Sequence, residues 1–191
     1  MPSNYYNTEG LIMKKMPFAE ADFLVRILTK DFGKIDILAK GARKSASKLN
    51  LHLDILNHVR ISFVKNSDIA RDRIPTLTDA EVISRYDDWF LNSQSLSVAG
   101  RVLQVLDLII LHHSKDEELF LLTVDFFSTP PVSPSESTRV DILEESAIKF
   151  LRSVFAHEGH GDTLPPEQFQ NIIKLWPVLR KLCYNIQYGR P

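Results

Sequence analysis

The chain has 191 residues, 44% hydrophobic and 25% charged, an ordinary globular composition that can bury a core. Its one cysteine, Cys183, excludes an intrachain disulfide framework and an all-cysteine zinc site. No apolar run approaches the roughly 20 residues of a bilayer span, and the N-terminus lacks the basic-then-apolar layout of a signal peptide, so a soluble, cytoplasmic protein with no membrane partner is expected. The net charge of −1 hides a split: residues 1–80 hold 13 Lys+Arg and 9 Asp+Glu, residues 81–191 hold 10 and 15. A basic first half and an acidic second half suggest two units with different partners.

Residues 5–80 read as strands. Tyr5 to Met16 alternates apolar with polar, and Gly10 within it predicts a bulge or bend. Pro17–Asp22 reads as a connection. From Phe23 to Lys30, one face carries Phe23, Val25 and Ile27 and the other Leu24, Arg26 and Leu28. Asp31–Lys34, with Gly33, predicts a tight turn into a strand on which Ile35, Ile37 and Ala39 point inward, paired antiparallel with the one before. Val59, Ile61 and Phe63 alternate with Arg60 and Ser62 in a fourth strand. Asn66–Asp68 predicts a turn, and a fifth strand spans Thr76–Val82. Five short strands with a long third connection fit a small barrel, either the oligonucleotide-binding (OB) fold or an SH3-like one, and the pattern alone does not separate them.

That long connection concentrates charge. Lys40, Arg43, Lys44 and Lys48 fall within nine residues without an acid. Gly41 turns the strand into what reads as a mobile cationic loop, suited to a polyanion such as nucleic acid. Basic runs are also common on plain solvated surfaces. Lys34 and Arg26 are outlying cations of the same candidate site. Tyr5, Tyr6, Phe18 and Phe32 are candidate stacking platforms, and Phe63 is assigned to the core.

From about Arg85 the period becomes helical. Ser95–Ser97 is the expected N-cap of a helix with Val98, Val102, Val105, Leu106 and Ile109 on its core side. Asp116–Glu118 sets acids at the start of a second helix, whose core is expected at Leu119, Leu122, Val124, Phe126 and Phe127. Residues 128–137 read as a loop. A long helix over Val140–His157 carries Ile142, Leu143, Ile148, Leu151, Val154 and Phe155, and ends at Gly159 and Gly161. Two more helices are expected over Pro165–Trp176 and Pro177–Leu182. The fold class is thus α+β: a five-stranded barrel over 1–80, then an all-helical domain over 81–191.

Chemistry is sparse. His112–His113 and the His157/His160 pair are the metal-like groupings, and both read as surface histidines, so no metal and no cofactor is expected. Asp87–Asp88 and Glu144–Glu145 read as solvated helix faces. With no phosphate loop, nucleophile elbow or carboxylate pair, no catalytic residue is assigned and a non-enzymatic role is expected.

Four segments in order carry a family resemblance: Tyr6-Asn7-Thr8-Glu9-Gly10-Leu11-Ile12-Met13-Lys14, Ala19-Glu20-Ala21-Asp22-Phe23-Leu24-Val25, Thr29-Lys30-Asp31-Phe32-Gly33-Lys34 and Ala39-Lys40-Gly41-Ala42-Arg43-Lys44. Over residues 5–65 the chain resembles the N-terminal half of RecO, a bacterial recombination-mediator family. The resemblance implies an OB barrel and a helical domain. It also implies binding of single- and double-stranded DNA, annealing of complementary strands, binding of the acidic C-terminal tail of single-strand-binding protein, and pairing with RecR in recombinational repair near the nucleoid. It strengthens the assignment of Lys40, Arg43, Lys44 and Lys48 as DNA contacts. Many relatives carry a four-cysteine zinc module that Cys183 alone cannot supply, so a short form without that zinc is expected. A protein-interaction adaptor with little DNA affinity of its own is the alternative.

Overall fold

In the computed structural model, which describes residues 4–65, 74–129, 131 and 139–160, five strands close into a barrel. They are β1 (Asn4–Phe18), β2 (Asp22–Thr29), β3 (Gly33–Ala39), β4 (His58–Lys65) and β5 (Thr76–Ser84). The order round the barrel is β1-β2-β3-β5-β4, and β4 returns to β1. All neighbours are antiparallel except β3 and β5, which meet in parallel at Leu38 and Thr76. The Leu38 N–H donates to the Pro75 carbonyl at 2.8 Å to close that seam. This is the closure of the OB fold, and it decides between the two barrels that strand spacing left open. The expected turn at Asn66–Asp68, the loop at 130–137 apart from residue 131, the helices beyond residue 160, Gly161 and Cys183 lie outside the described residues.

β1 has 15 residues because it serves two ladders. Its first half pairs with β4, from Asn4↔Lys65 to Leu11↔His58, and its second with β2, from Gly10↔Thr29 to Phe18↔Asp22. Gly10 belongs to both. A Cβ there would come within 2.5 Å of Ile27 Cγ2, so glycine lets neighbouring strands close tightly. The bulge expected at Gly10 lies instead at Met13, where the register against β2 slips between Ile12 and Lys14. Just before it, Ile12 takes the Leu56 N–H and gives its own to the Asn57 carbonyl, at 2.9 and 3.0 Å, extending the β4 side of the ladder. The bend is therefore made by a surplus residue, and glycine answers a contact problem.

Alternation fixes what is inside. Val25, Ile27, Ile35, Ile37 and Ala39 are all buried in one cluster with Ile12 and Ile61. Tyr6 and Phe32 pack against it. Their rings and that of Phe63 lie 5.3–5.4 Å apart, two edge-on contacts and one stack. These two aromatics are committed to the core rather than to a ligand.

Two compact units divide the chain: Met1–Arg85 with His112–Val124, and Tyr86–Leu111 with Asp125–Pro191. In the first, His112 pairs in parallel with Lys34, and the His113 N–H donates to the Lys34 carbonyl at 3.0 Å. Gly33 permits this approach twice over. Its φ is +65°, and a Cβ would overlap the Ser114 carbonyl. Lys30–Glu117 at 3.2 Å and Lys115–Asp31 at 3.6 Å flank the contact. Phe120 sets its ring 5.8 Å from His58.

In the second unit, α1 (Ser93–Ile109) is capped by Asn92, not by the Ser95–Ser97 segment. The Asn92 carboxamide oxygen accepts from the N–H groups of Gln94 and Ser95 at 3.0 and 2.8 Å, while Ser95 is buried inside the first turn. Leu91 and Leu96 flank the cap at the two positions of a hydrophobic staple. α2 (Glu117–Ser128), which belongs to the first unit through Val124 and to the second from Asp125, starts on an Asp116 cap, with the Leu119 N–H donating to the carboxylate at 2.9 Å. Its buried stripe includes Phe120 and Thr123, whereas the expected Leu122 and Val124 are only half-buried. α3 (Arg139–His157) ends at Gly159, where the His160 N–H reaches the Phe155 carbonyl and the Gly159 N–H the Ala156 carbonyl, at 2.7 and 3.1 Å. The phase of α3 reverses two expectations. Glu144 joins Ala147, Ile148 and Leu151 on the buried stripe, and Ile142 is half exposed. Glu145 is solvated as expected and pairs with Lys149 one turn on, at 2.8 Å. Asp87 and Asp88 are exposed on a short 3-10 turn rather than on an α-helical face.

Candidate nucleic-acid interface

The cationic stretch leaves β3 at Lys40 and is a chain of turns rather than a slack loop. Lys44, Ser47, Leu51 and His52 each donate backbone N–H groups to carbonyls three residues back, at 2.9–3.3 Å. Ala42 is fully buried, and so is Leu53 just beyond. Three further bonds tie the stretch to the β1–β2 turn. The Gly41 N–H donates to the Asp22 carboxylate at 2.7 Å, the Arg43 N–H to the Ala21 carbonyl at 2.9 Å, and the Arg43 guanidinium to the Ala19 carbonyl at 2.9 Å. The expected mobility is therefore corrected: this is a braced platform. On it Lys40, Arg43, Lys44 and Lys48 are all exposed.

The two outlying cations are elsewhere. Arg26 on β2 stands opposite Asp36 on β3 and binds it side-on, at 2.7 and 2.9 Å. Burial works to raise the Asp36 carboxyl, yet the Arg26 hydrogen bonds and charge hold it below its ordinary value. Lys34 is 3% exposed, under the His112–His113 crossing. The structure thus gathers Lys40, Arg43, Lys44 and Lys48 and gives Arg26 and Lys34 other surroundings.

Cross-strand register defines a second surface. Val25 and Ile27 point into the barrel, so Leu24 and Arg26 point out, with their partners on β1 and β3. The outer face of β1, β2 and β3 therefore carries rows. Lys14, Arg26 and Asp36 form one; Met16, Leu24 and Leu38 form the next, half-buried and apolar; Phe18 and Asp22 end the series beside the cationic platform. Phe18 is 41% exposed and Tyr5 71%. Asp22 and Ala19, which hold the platform, were not legible from the sequence, since nothing there ties an acid to a glycine amide 19 residues on. The apolar outer row had a signal: β2 carries leucines on the face opposite its core residues.

His112 is held below its ordinary pKa, first by burial and then by the Lys34 charge. Among the described residues no group of three or more His, Cys, Asp or Glu is arranged to hold a metal ion. Among them, no helix is long and apolar enough to cross a membrane.

Residues 1–86 match the family described as Recombination protein O N terminal. The chain is similar to a DNA repair protein RecO of Acetivibrio thermocellus, 29% identical over 140 residues, 72% of this chain and 54% of that protein. It is similar also to those of Thermodesulfovibrio yellowstonii, 26% identical over 63% of this chain and 47% of the relative, and of a Synechococcus species, 28% identical over 79% and 54%. The chain spans about half the length of these curated relatives.

Proposed function

Since this chain belongs to the RecO family through residues 1–86, we propose that it is a DNA-binding recombination mediator. It holds DNA strands on the cationic platform and brings complementary strands together. The observation that carries this reading is the acid-free set Lys40, Arg43, Lys44 and Lys48, exposed on a platform braced against the β1–β2 turn of an OB barrel. A fixed array of cations neutralises phosphates at less ordering cost than a floppy one, and phosphate contacts carry sequence-independent affinity. Lys40, Lys44 and Lys48 are the phosphate ligands.

Annealing forms base pairs and breaks no covalent bond, so the protein acts without a catalytic group. The family resemblance extends the reading to single- and double-stranded DNA as ligands, to the tail of single-strand-binding protein and to RecR as protein partners, and to gap and break repair at the nucleoid. The test is annealing of complementary oligonucleotides, bare and coated with single-strand-binding protein. The protein should accelerate both, and the triple variant Lys40→Ala, Lys44→Ala, Lys48→Ala should not. Annealing at the spontaneous rate with wild-type protein would remove the mediator reading and leave the adaptor.

A further inference from the structure

The platform supplies charge, but charge does not distinguish a single strand from a duplex. We propose that Phe18 is a base-stacking residue that makes the site select unpaired nucleotides, and that Arg43 is the positioning residue that holds it there. This inference rests on the DNA-binding reading and names the form of DNA that the site prefers.

Phe18 is the last residue of β1 and lies opposite Asp22 on the outer face of the β1–β2–β3 sheet. A phenylalanine 41% exposed at a strand end leaves much apolar surface in water. The surroundings suit a base. The half-buried row of Met16, Leu24 and Leu38 continues from it along the same face, and Lys40 and Lys44 project from the platform tied to the turn that follows it. A nucleotide with its phosphate on the platform can lay its base on the Phe18 ring only if that base is unpaired. A duplex presents phosphates and groove edges instead, and gains only the charge.

The turn after Phe18 is built to stay in place. Ala19 has φ = +50°, in the left-handed region that alanine enters at a cost. That conformation is over-determined by the platform, through the Arg43 guanidinium on the Ala19 carbonyl, the Arg43 N–H on the Ala21 carbonyl and the Gly41 N–H on Asp22. Arg43 thereby spends a donor on the protein, and its main effect on DNA runs through the turn that carries Phe18. Lysine keeps the charge but loses the planar fork.

The experiment measures binding of the full chain to two fluorescent probes, an oligo-dT and an abasic strand of equal length, which shares the phosphates but has no bases. Phe18→Leu should weaken oligo-dT binding by about 5- to 100-fold, the range of one base–aromatic stack, and leave abasic binding unchanged. Phe18→Tyr should bind both as wild type does. Arg43→Lys should weaken oligo-dT binding and spare the abasic strand, whereas a mere phosphate ligand would tolerate lysine on both. Retained abasic affinity also shows that each variant is folded. Equal effects of Phe18→Leu on the two probes, or none on either, overturn the stacking role. No effect of Arg43→Lys on either probe overturns the positioning role. Wild-type protein that binds neither probe removes the DNA-binding reading, and this inference with it.

Discussion

Gly10 shows how one residue sets the geometry of the barrel. It sits where β1 passes from the β4 ladder to the β2 ladder, and its missing Cβ makes room for Ile27. Gly10→Ala should therefore cost about 1–3 kcal/mol of stability, the usual range for overpacking a tight interior contact. Chemical denaturation would show this as a lower midpoint with an unchanged slope, and an unchanged midpoint would mean that Ile27 moves aside freely. The sequence marks Gly10 as special but does not show its task. Glycine's tolerance of unusual backbone angles suggests a bend, whereas a close approach depends on a partner 17 residues away that no local pattern reveals. The same limit hid Asp22 and Ala19, whose importance comes from hydrogen bonds to a later loop.

At the scale of elements, periodicity carried most of the fold. Alternation located four strands because each has one face in the core, β5 departs from it with Leu77 and Ala80 buried three residues apart, and the helical period found α1, α2 and α3 within a few residues of their ends. Phase was less legible. Glu144 and Ile142 exchange their expected places because the buried stripe of α3 is set by what packs against it, which composition does not encode. The contact between Phe120 and His58, both in the first unit, was likewise invisible, although it gives a measurable pH effect. His58, buried against Phe120, has its pKa lowered chiefly by desolvation, against the pull of Glu9 3.7 Å away and with the help of the Arg60 charge. An unfolded imidazole titrates near 6.5. Above that value the His58 contribution to stability is complete. As pH falls below it, the unfolded chain takes up a proton that the folded chain resists, and stability declines until the folded imidazole also protonates. His112 acts in the same direction, while Asp36, with its carboxyl held low, contributes stability that is lost only below about 3.8. Thermal unfolding from pH 7.5 to 5.5 should show falling stability, with a shallower fall in His58→Phe. Identical pH slopes in the two proteins would contradict burial of a neutral His58.

For the whole molecule, the charge split acquires a physical meaning. The basic residues of the first half include four on one braced platform of an OB barrel, beside an exposed aromatic and an apolar row. The second half is net acidic and supplies no comparable cationic array among its described residues. DNA affinity should therefore reside in the barrel, through a few phosphate contacts. Its most direct measure is the salt dependence of binding to a single-stranded oligonucleotide. Three lysine contacts predict a slope of about −2 in log K against log salt concentration, and Lys44→Ala should flatten it by about 0.7. A slope near zero, or one that Lys44→Ala leaves unchanged, would contradict the assignment of DNA to this platform.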